Sequence, residues 1–155
     1  MRDTVAPLRK PRILVVEDHD SARIALTKLL SSRGYDVDQA PNGSDALAQL
    51  ASGTRPDLIL LDLTMPVMDG WEFMKRQRGD WHLCTIPTIV LTGVPSHDPR
   101  CLEMPVVRLL AKPYTGEQLM AAIDAEISTR RMPDPVVMQR ATPRPAPVPL
   151  RRIRI

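Results

Sequence analysis

Residues 57–66 read DLILLDLTMP, a stretch in which an uninterrupted apolar run ends in Asp62. An apolar run of this length, without polar alternation, is typical of a strand that is buried on both faces. Similar, largely apolar runs occupy residues 12–16, 88–91 and 106–110. Residues 35–38 alternate apolar and acidic side chains, which predicts one further, half-buried strand.

Helix signals lie between these predicted strands. Asp20 or Ser21 is the expected N-cap of a first helix, which stops near Gly34. Two further helices are predicted over residues 44–50 and 71–78. Short strands that alternate with helices predict an α/β fold with a parallel sheet.

The later part of the chain contains one irregular segment and one clear helix. Prolines at positions 95, 99 and 105 restrict helix formation, so a fourth helix is expected to be short or irregular. Thr115 and Gln118 fit a capping box at the start of the last helix. Leu119, Ile123 and Ile127 then follow at a spacing that places them on one helix face.

The two ends of the chain differ in composition from its body. Residues 128–155 contain seven arginines, one acidic residue and six prolines. Residues 1–127 contain 14 basic and 17 acidic side chains, so the body is mildly acidic although the whole chain has a net charge of +3. Segments rich in proline and charge bury too little apolar surface to become ordered. We therefore expect a flexible lead over residues 1–11, one folded domain over 12–130 and a disordered tail over 131–155.

Composition excludes several classes of protein. Hydrophobic residues make up 43% of the chain and charged residues 25%, ordinary values for a soluble globular domain. The sequence predicts neither a membrane span nor a signal peptide. Cys84 and Cys101 are too few for a disulfide framework, and we expect them to be partly buried thiols in a cytoplasmic protein. We expect Trp71 and Trp81 to pack against the sheet.

Polar side chains follow four of the predicted strands. Glu17 and Asp18 come after the first, Asp62 after the central run, Thr92 after the next and Lys112 after the last. Alone, each of these residues has an ordinary explanation as a cap or a surface charge. Because ligands bind at the carboxyl ends of parallel strands, we expect the five side chains to converge. Clustered carboxylates favour Mg²⁺, and a carboxylate beside a metal and a lysine is a candidate nucleophile for phosphoryl transfer.

The motifs at these strand ends carry a family resemblance. They are ILVVED at residues 13–18, DLILLDLTMP at 57–66 with DG at 69–70, TIVLTG at 88–93 and AKP at 111–113. In order and spacing, they resemble the receiver domain of response regulators in bacterial two-component systems, including the stand-alone chemotaxis type. The resemblance covers residues 12–128. It implies a flavodoxin-like, doubly wound sheet of five parallel strands in the order 2-1-3-4-5, with helices on both faces.

The resemblance also implies a role for each site residue. Asp62 would accept a phosphoryl group, and Asp18 would bind Mg²⁺ directly. Glu17 would assist through a water molecule, and the main-chain carbonyl of Thr64 would be a further metal ligand.

Two more residues are implied to contact the phosphoryl group itself. Lys112 would pair with the acceptor carboxylate and then with its phosphate, and the Lys112–Pro113 peptide is expected to be cis. Thr92 would bind the phosphate as the switch residue. The added charge and acceptor oxygens would then bias a protein-interaction surface.

The implied partners are a sensor histidine kinase or a histidine phosphotransfer protein, a downstream protein target and a second copy in a homodimer. The protein would catalyse only the gain and loss of its own phosphate and would not be an enzyme. No folded DNA-binding domain is expected in the tail, whose arginines are candidates for contact with an anionic partner.

Two alternatives remain open at this point. Leu109 occupies the position where the family usually has an aromatic switch residue, and this motivates a phosphorylation-independent interaction or scaffold domain. A small phosphatase with an aspartyl nucleophile, resembling the haloacid dehalogenase class, is the other. That class needs a second Asp two residues after the nucleophile, where this chain has Thr64.

Overall fold

A computed structural model describes residues 9–94, 98–102 and 108–131. The elements, in chain order, are β1 (Arg12–Val16), α1 (Asp20–Ser32), β2 (Asp36–Ala40), α2 (Gly43–Ala51), β3 (Leu58–Asp62), α3 (Gly70–Gly79), β4 (Thr88–Thr92), α4 (Pro99–Leu102), β5 (Arg108–Ala111) and α5 (Gly116–Arg131). Beyond Arg131 the predicted tail lies outside the described residues, as do residues 1–8 of the predicted lead. Arg9, at the end of that lead, forms an ion pair with Asp57 at 2.9 Å.

The strands form one five-stranded parallel sheet in the order β2-β1-β3-β4-β5. This arrangement confirms the predicted fold class. Asp62 lies opposite Leu91, and Thr92 lies opposite Ala111. The register therefore brings the polar residues after β1, β3, β4 and β5 to the same edge of the sheet.

Each face of the sheet supports its own apolar core, because successive strand residues point to opposite sides. The first core contains Leu14, Val16, Ile59, Leu61, Val90 and the side chains of α2 and α3 that pack on them. The second core contains Ile13, Val15, Leu58, Leu60, Ile89, Leu91 and the buried side chains of α1 and α5. β3 is buried along its whole length, so Asp62 is held at the end of a fully enclosed strand.

The fourth helix is a single turn, as its prolines predict. It spans Pro99–Leu102 and begins where the amide of Arg100 donates to the Asp98 carboxylate at 2.9 Å. Leu109 in β5 is partly buried and packs against the first core. The position where the resemblance predicts an aromatic switch residue is thus filled by an aliphatic side chain that packs against the core.

Helix ends follow the sequence signals with one exception. The predicted capping box is confirmed, because the Gln118 amide donates to Thr115 Oγ1 and the Thr115 amide donates to Gln118 Oε1. The predicted N-cap of α1 at Asp20 or Ser21 is wrong, since the helix begins at Asp20 and His19 is the N-cap. Asp20 lies in the first turn instead, where a carboxylate is favourable near the helix dipole.

Two expectations for the loop after α3 are also wrong. Trp81 is 77% exposed and Cys84 is exposed, whereas both were expected to be at least partly buried. Leu83 and Ile86 turn into the first core. Their carbonyls accept hydrogen bonds from the buried side-chain amide of Gln77, Nε2, at 3.2 and 3.1 Å. Because these two residues take the inward positions, Trp81 and Cys84 face solvent.

Candidate functional site

Three carboxylates converge at the carboxyl end of the sheet. Glu17 and Asp18 follow β1 directly, and Asp62 is the last residue of β3. Glu17 is 1% exposed and Asp62 is 4% exposed. Buried carboxylates are costly unless they are paired or hydrogen-bonded, so the site depends on the cationic groups around them.

Lys112 pairs with two of these carboxylates at once. Its Nζ donates to Asp62 Oδ2 at 3.1 Å and to Glu17 Oε2 at 3.2 Å. Burial lowers the pKa of Lys112, but the charges of Asp62 and Glu17 outweigh burial and raise the pKa above its usual value. The ammonium therefore stays charged at neutral pH and holds both carboxylates together.

The backbone around Lys112 fixes where its side chain begins. Its amide donates to the Thr92 carbonyl at 2.7 Å, and the Lys112–Pro113 peptide is cis, as predicted. Tyr114 follows and packs against the second core, where burial raises the pKa of its phenol. Tyr114 is consequently a neutral neighbour at physiological pH.

Thr92 lies at the same sheet edge and is fully buried. Its Oγ1 accepts a hydrogen bond from the Val94 amide at 2.8 Å. A hydroxyl that accepts in this way still has its own proton to donate. The structure thus places the predicted switch residue at the edge, with its oxygen bound to the loop that leads to α4.

The loop after β3 packs tightly against Asp62. The Thr64 amide donates to Asp62 Oδ1 at 3.1 Å, which orients the carboxylate. Gly70 closes the loop, and its amide donates to the Leu63 carbonyl at 3.0 Å. A Cβ at position 70 would lie 2.4 Å from the Asp62 carbonyl oxygen, so only glycine fits this approach.

The carboxylates suit a hard divalent cation. Glu17, Asp18, His19 and Asp62 each offer one ligand atom, and these atoms lie within 4.8 Å of one another. Asp18 Oδ1 is buried and lies 3.2 Å from His19 Nδ1, but this contact lacks hydrogen-bond geometry, so the oxygen accepts no hydrogen bond in the described part of the chain. A buried carboxylate oxygen that accepts no hydrogen bond, next to two further carboxylates, is the donor set that Mg²⁺ takes. The residues therefore fit the predicted cation.

Sequence reasoning missed two residues that contact this cluster. His19 Nδ1 lies 3.3 Å from Glu17 Oε1 and 3.2 Å from Asp18 Oδ1. The hydrogen bond with Glu17, followed by the charges of both carboxylates, raises the pKa of His19. Arg23, in α1, donates to the Glu17 carbonyl at 2.8 Å. The one feature of the sequence that could have identified both residues is their position, because they lie within a few residues after the acidic pair.

Comparisons with known proteins agree with the family resemblance of the sequence motifs. The sequence profile described as the response regulator receiver domain matches residues 13–124. The chain belongs to the response regulator receiver family. Among curated relatives, response regulator MprA of Mycobacterium tuberculosis is 39% identical over 116 residues, which cover 74% of this chain and 49% of that protein. The receiver domain described here thus spans about half the length of the curated relatives it matches.

Solved structures of receivers share the fold. The receiver domain of a signal transduction histidine kinase from Syntrophus aciditrophicus has a TM-score of 0.73 and 32% identity, covering 81% of this chain and 96% of that one. A Vibrio cholerae chemotaxis response regulator has a TM-score of 0.69 and 31% identity, covering 76% and 99%.

A third solved structure was determined with magnesium coordinated in its active-site cleft. It is the receiver domain of a sensor histidine kinase from Pseudomonas aeruginosa, with a TM-score of 0.70 and 28% identity, covering 77% of this chain and 99% of that one.

None of the helices in the described ranges is long and apolar enough to cross a membrane.

Proposed function

We propose that this receiver accepts a phosphoryl group on Asp62 from a phosphorylated histidine of a sensor kinase or a histidine phosphotransfer protein. One observation carries the proposal. Asp62 is buried at the end of β3, paired with Lys112 at 3.1 Å and clustered with Glu17 and Asp18. A carboxylate enclosed by a lysine and a cation site is suited to phosphoryl transfer.

The proposed step conserves the phosphoryl group. A carboxylate oxygen of Asp62 attacks the phosphorus atom, the phosphorus–nitrogen bond to the donor histidine breaks, and the imidazole leaves with the bonding electron pair. Lys112 then pairs with the charge of the new acyl phosphate. Asp18, Asp62 and the Thr64 carbonyl would hold Mg²⁺, with Glu17 assisting through water, and the bound cation would supply positive charge beside the phosphoryl oxygens.

The proposed switch uses the hydroxyl of Thr92. Its proton is free to be donated to a phosphoryl oxygen, while its oxygen is bound to the Val94 amide. Movement of Thr92 toward Asp62 would therefore draw the residue 93–94 backbone with it. That displacement would reach α4, which begins only a few residues later, and would bias a surface used by a downstream protein or a second copy.

The same proposal covers the location and the scope of the chemistry. Phosphate exchange with a kinase would take place in the cytoplasm, where the protein would catalyse only its own phosphorylation and dephosphorylation. The matched relatives are about twice as long as the matched region. The match therefore does not extend to the partners of a whole protein, and the partners named above are part of the proposal.

A second function is favoured by a specific observation. Leu109 packs against the first core, and no aromatic residue occupies this position to rotate between exposed and buried states. A receiver that binds its partner without phosphate would need no such rotation. In that case the surface beside β5 would be the same with and without a modified Asp62.

Beryllofluoride with Mg²⁺ tests these two functions, because it mimics an aspartyl phosphate. We expect saturable, Mg²⁺-dependent changes in the amide NMR signals of Thr92 and Lys112, lost in Asp62→Asn. Asp36→Asn is the matched control, since Asp36 is exposed at the start of β2. Changes that persist in Asp62→Asn would contradict the proposed acceptor. No response in the folded natural sequence would favour the phosphorylation-independent function.

A further inference from the structure

The loop that presents the acidic pair is held by an arginine on α1. Arg23 Nη1 donates to the Glu17 carbonyl at 2.8 Å and to the Asp18 carbonyl at 3.5 Å. Its Nη2 forms an ion pair with Asp20. The side chain is only 15% exposed, so the guanidinium is fixed among these groups and does not extend into solvent.

Helix stability does not explain a cation at this place. Arg23 lies in the first turns of α1, and the N-terminal end of a helix favours negative charge. Helical side chains point toward the N-terminus, so the guanidinium projects back over the loop before α1. Its donors therefore satisfy two loop carbonyls that α1 itself leaves without a helical partner.

We infer that Arg23 is a positioning residue for the divalent-cation site. The planar guanidinium offers several donors in a fixed geometry. By binding the carbonyls of both acidic residues, it fixes the backbone from which the Glu17 and Asp18 side chains reach the cluster. This inference rests on the proposed function, because it assigns a role toward the cation that the function requires.

A role of Arg23 through its charge and a role through positioning the loop predict opposite changes in Mg²⁺ affinity when the guanidinium is removed. If Arg23 acts only through its positive charge, removing that charge reduces repulsion of Mg²⁺ and tightens binding. If Arg23 acts by fixing the loop, removing the guanidinium lets the two carboxylates spread and weakens binding. Substituting groups that orient metal ligands commonly lowers metal affinity by about 10- to 100-fold.

The test is a titration with Mg²⁺ alone, monitored through the amide NMR signals of Thr64 and Lys112, which lie in the loops after β3 and β5 and outside α1. We expect Arg23→Gln to bind Mg²⁺ about tenfold more weakly than the natural sequence, and Arg23→Lys to fall between them. Lys28→Gln is the matched control, because it removes a charge from an exposed position of the same helix. It should bind Mg²⁺ as the natural sequence does.

If a folded Arg23→Gln variant binds Mg²⁺ as tightly as the natural sequence or more tightly, the positioning role of Arg23 is contradicted and the proposed function is not. If that variant does not fold, Arg23→Lys decides the question, because it keeps the positive charge and loses the planar guanidinium with its several donors. Natural affinity in Arg23→Lys would then overturn the positioning role. Failure of the natural sequence to bind Mg²⁺ contradicts the proposed function instead, so the two failures are distinguishable.

Discussion

Lys112 is the residue on which the stability of the cluster depends. Its ammonium lies between two buried carboxylates, and Lys112→Met would leave both without this partner. Losing one member of a buried pair costs up to several kcal/mol. Because the Lys112 side chain is 33% exposed, solvent screens part of that cost, and we expect a loss of about 1–3 kcal/mol in the free energy of unfolding.

Urea unfolding with and without Mg²⁺ measures this effect. We expect Mg²⁺ to stabilise Lys112→Met more than the natural sequence, because a cation can replace the missing charge. Lys75→Met, at an exposed position of α3, should change the free energy by less than about 0.5 kcal/mol. A Lys112→Met protein as stable as the Lys75→Met protein would show that the cluster does not need the lysine.

Val67 carries backbone strain in the loop that follows β3. Its φ is 69°, and the Met68 amide donates to the Pro66 carbonyl at 2.8 Å across it, which forms a γ-turn. A β-branched residue is disfavoured in this region. Since the side chain is 85% exposed, Val67→Gly should raise the free energy of unfolding by about 0.5–1 kcal/mol.

Chemical denaturation of two variants separates strain from lost contacts. Val67→Ala keeps an L side chain at the same φ, so it should show little of the gain expected for Val67→Gly. If the glycine variant were less stable than the alanine variant, the strain at this position would be negligible.

At the scale of elements, the side chain of Arg100 links α4 to α3. The guanidinium of Arg100 lies 4.6 Å from the centroid of the Trp71 ring, and it also bonds the Asp98 carboxylate. The same bonds with Asp98 raise the pKa of Arg100. A cation–π contact at an exposed position is worth about 0.5–1 kcal/mol, so the contact positions α4 more than it stabilises the domain.

Tryptophan fluorescence in a Trp81→Phe background reports this contact, because Trp71 is then the sole tryptophan of the chain. We expect Arg100→Ala to shift Trp71 emission, while Arg100→Lys, which keeps a cation, shifts it less. The unfolding free energy should change by no more than about 1 kcal/mol. Identical emission from all three proteins would mean that Arg100 does not hold α4 against Trp71.

The elements that the sequence predicted best are those with local signals. Apolar runs identify β1, β3 and β4, and parallel pairing then brings Glu17, Asp62 and Thr92 to one edge. Trp81 was mispredicted because its exposure depends on Gln77, which fixes the loop from the preceding helix. Arg23 was missed because an arginine in a helix has no sequence mark that separates a loop-binding role from a solvated one.

At the scale of the whole molecule, the site joins two cores that share one sheet. Trp71 packs against the first core, while Tyr35 and Tyr114 pack against the second. β3 contributes to both cores and ends in Asp62. The two halves should therefore unfold together, as small single domains usually do.

Ligand binding at the shared edge should stabilise both cores equally. We expect far-UV circular dichroism and Trp71 fluorescence, in the Trp81→Phe background, to report one coincident urea transition. Mg²⁺ with beryllofluoride at about 100 times the dissociation constant should raise the unfolding free energy by about 2.7 kcal/mol in both signals. Asp62→Asn should show no such gain from beryllofluoride. A fluorescence transition that precedes the dichroism transition would mean that the first core opens alone, and the site would then not couple the two faces.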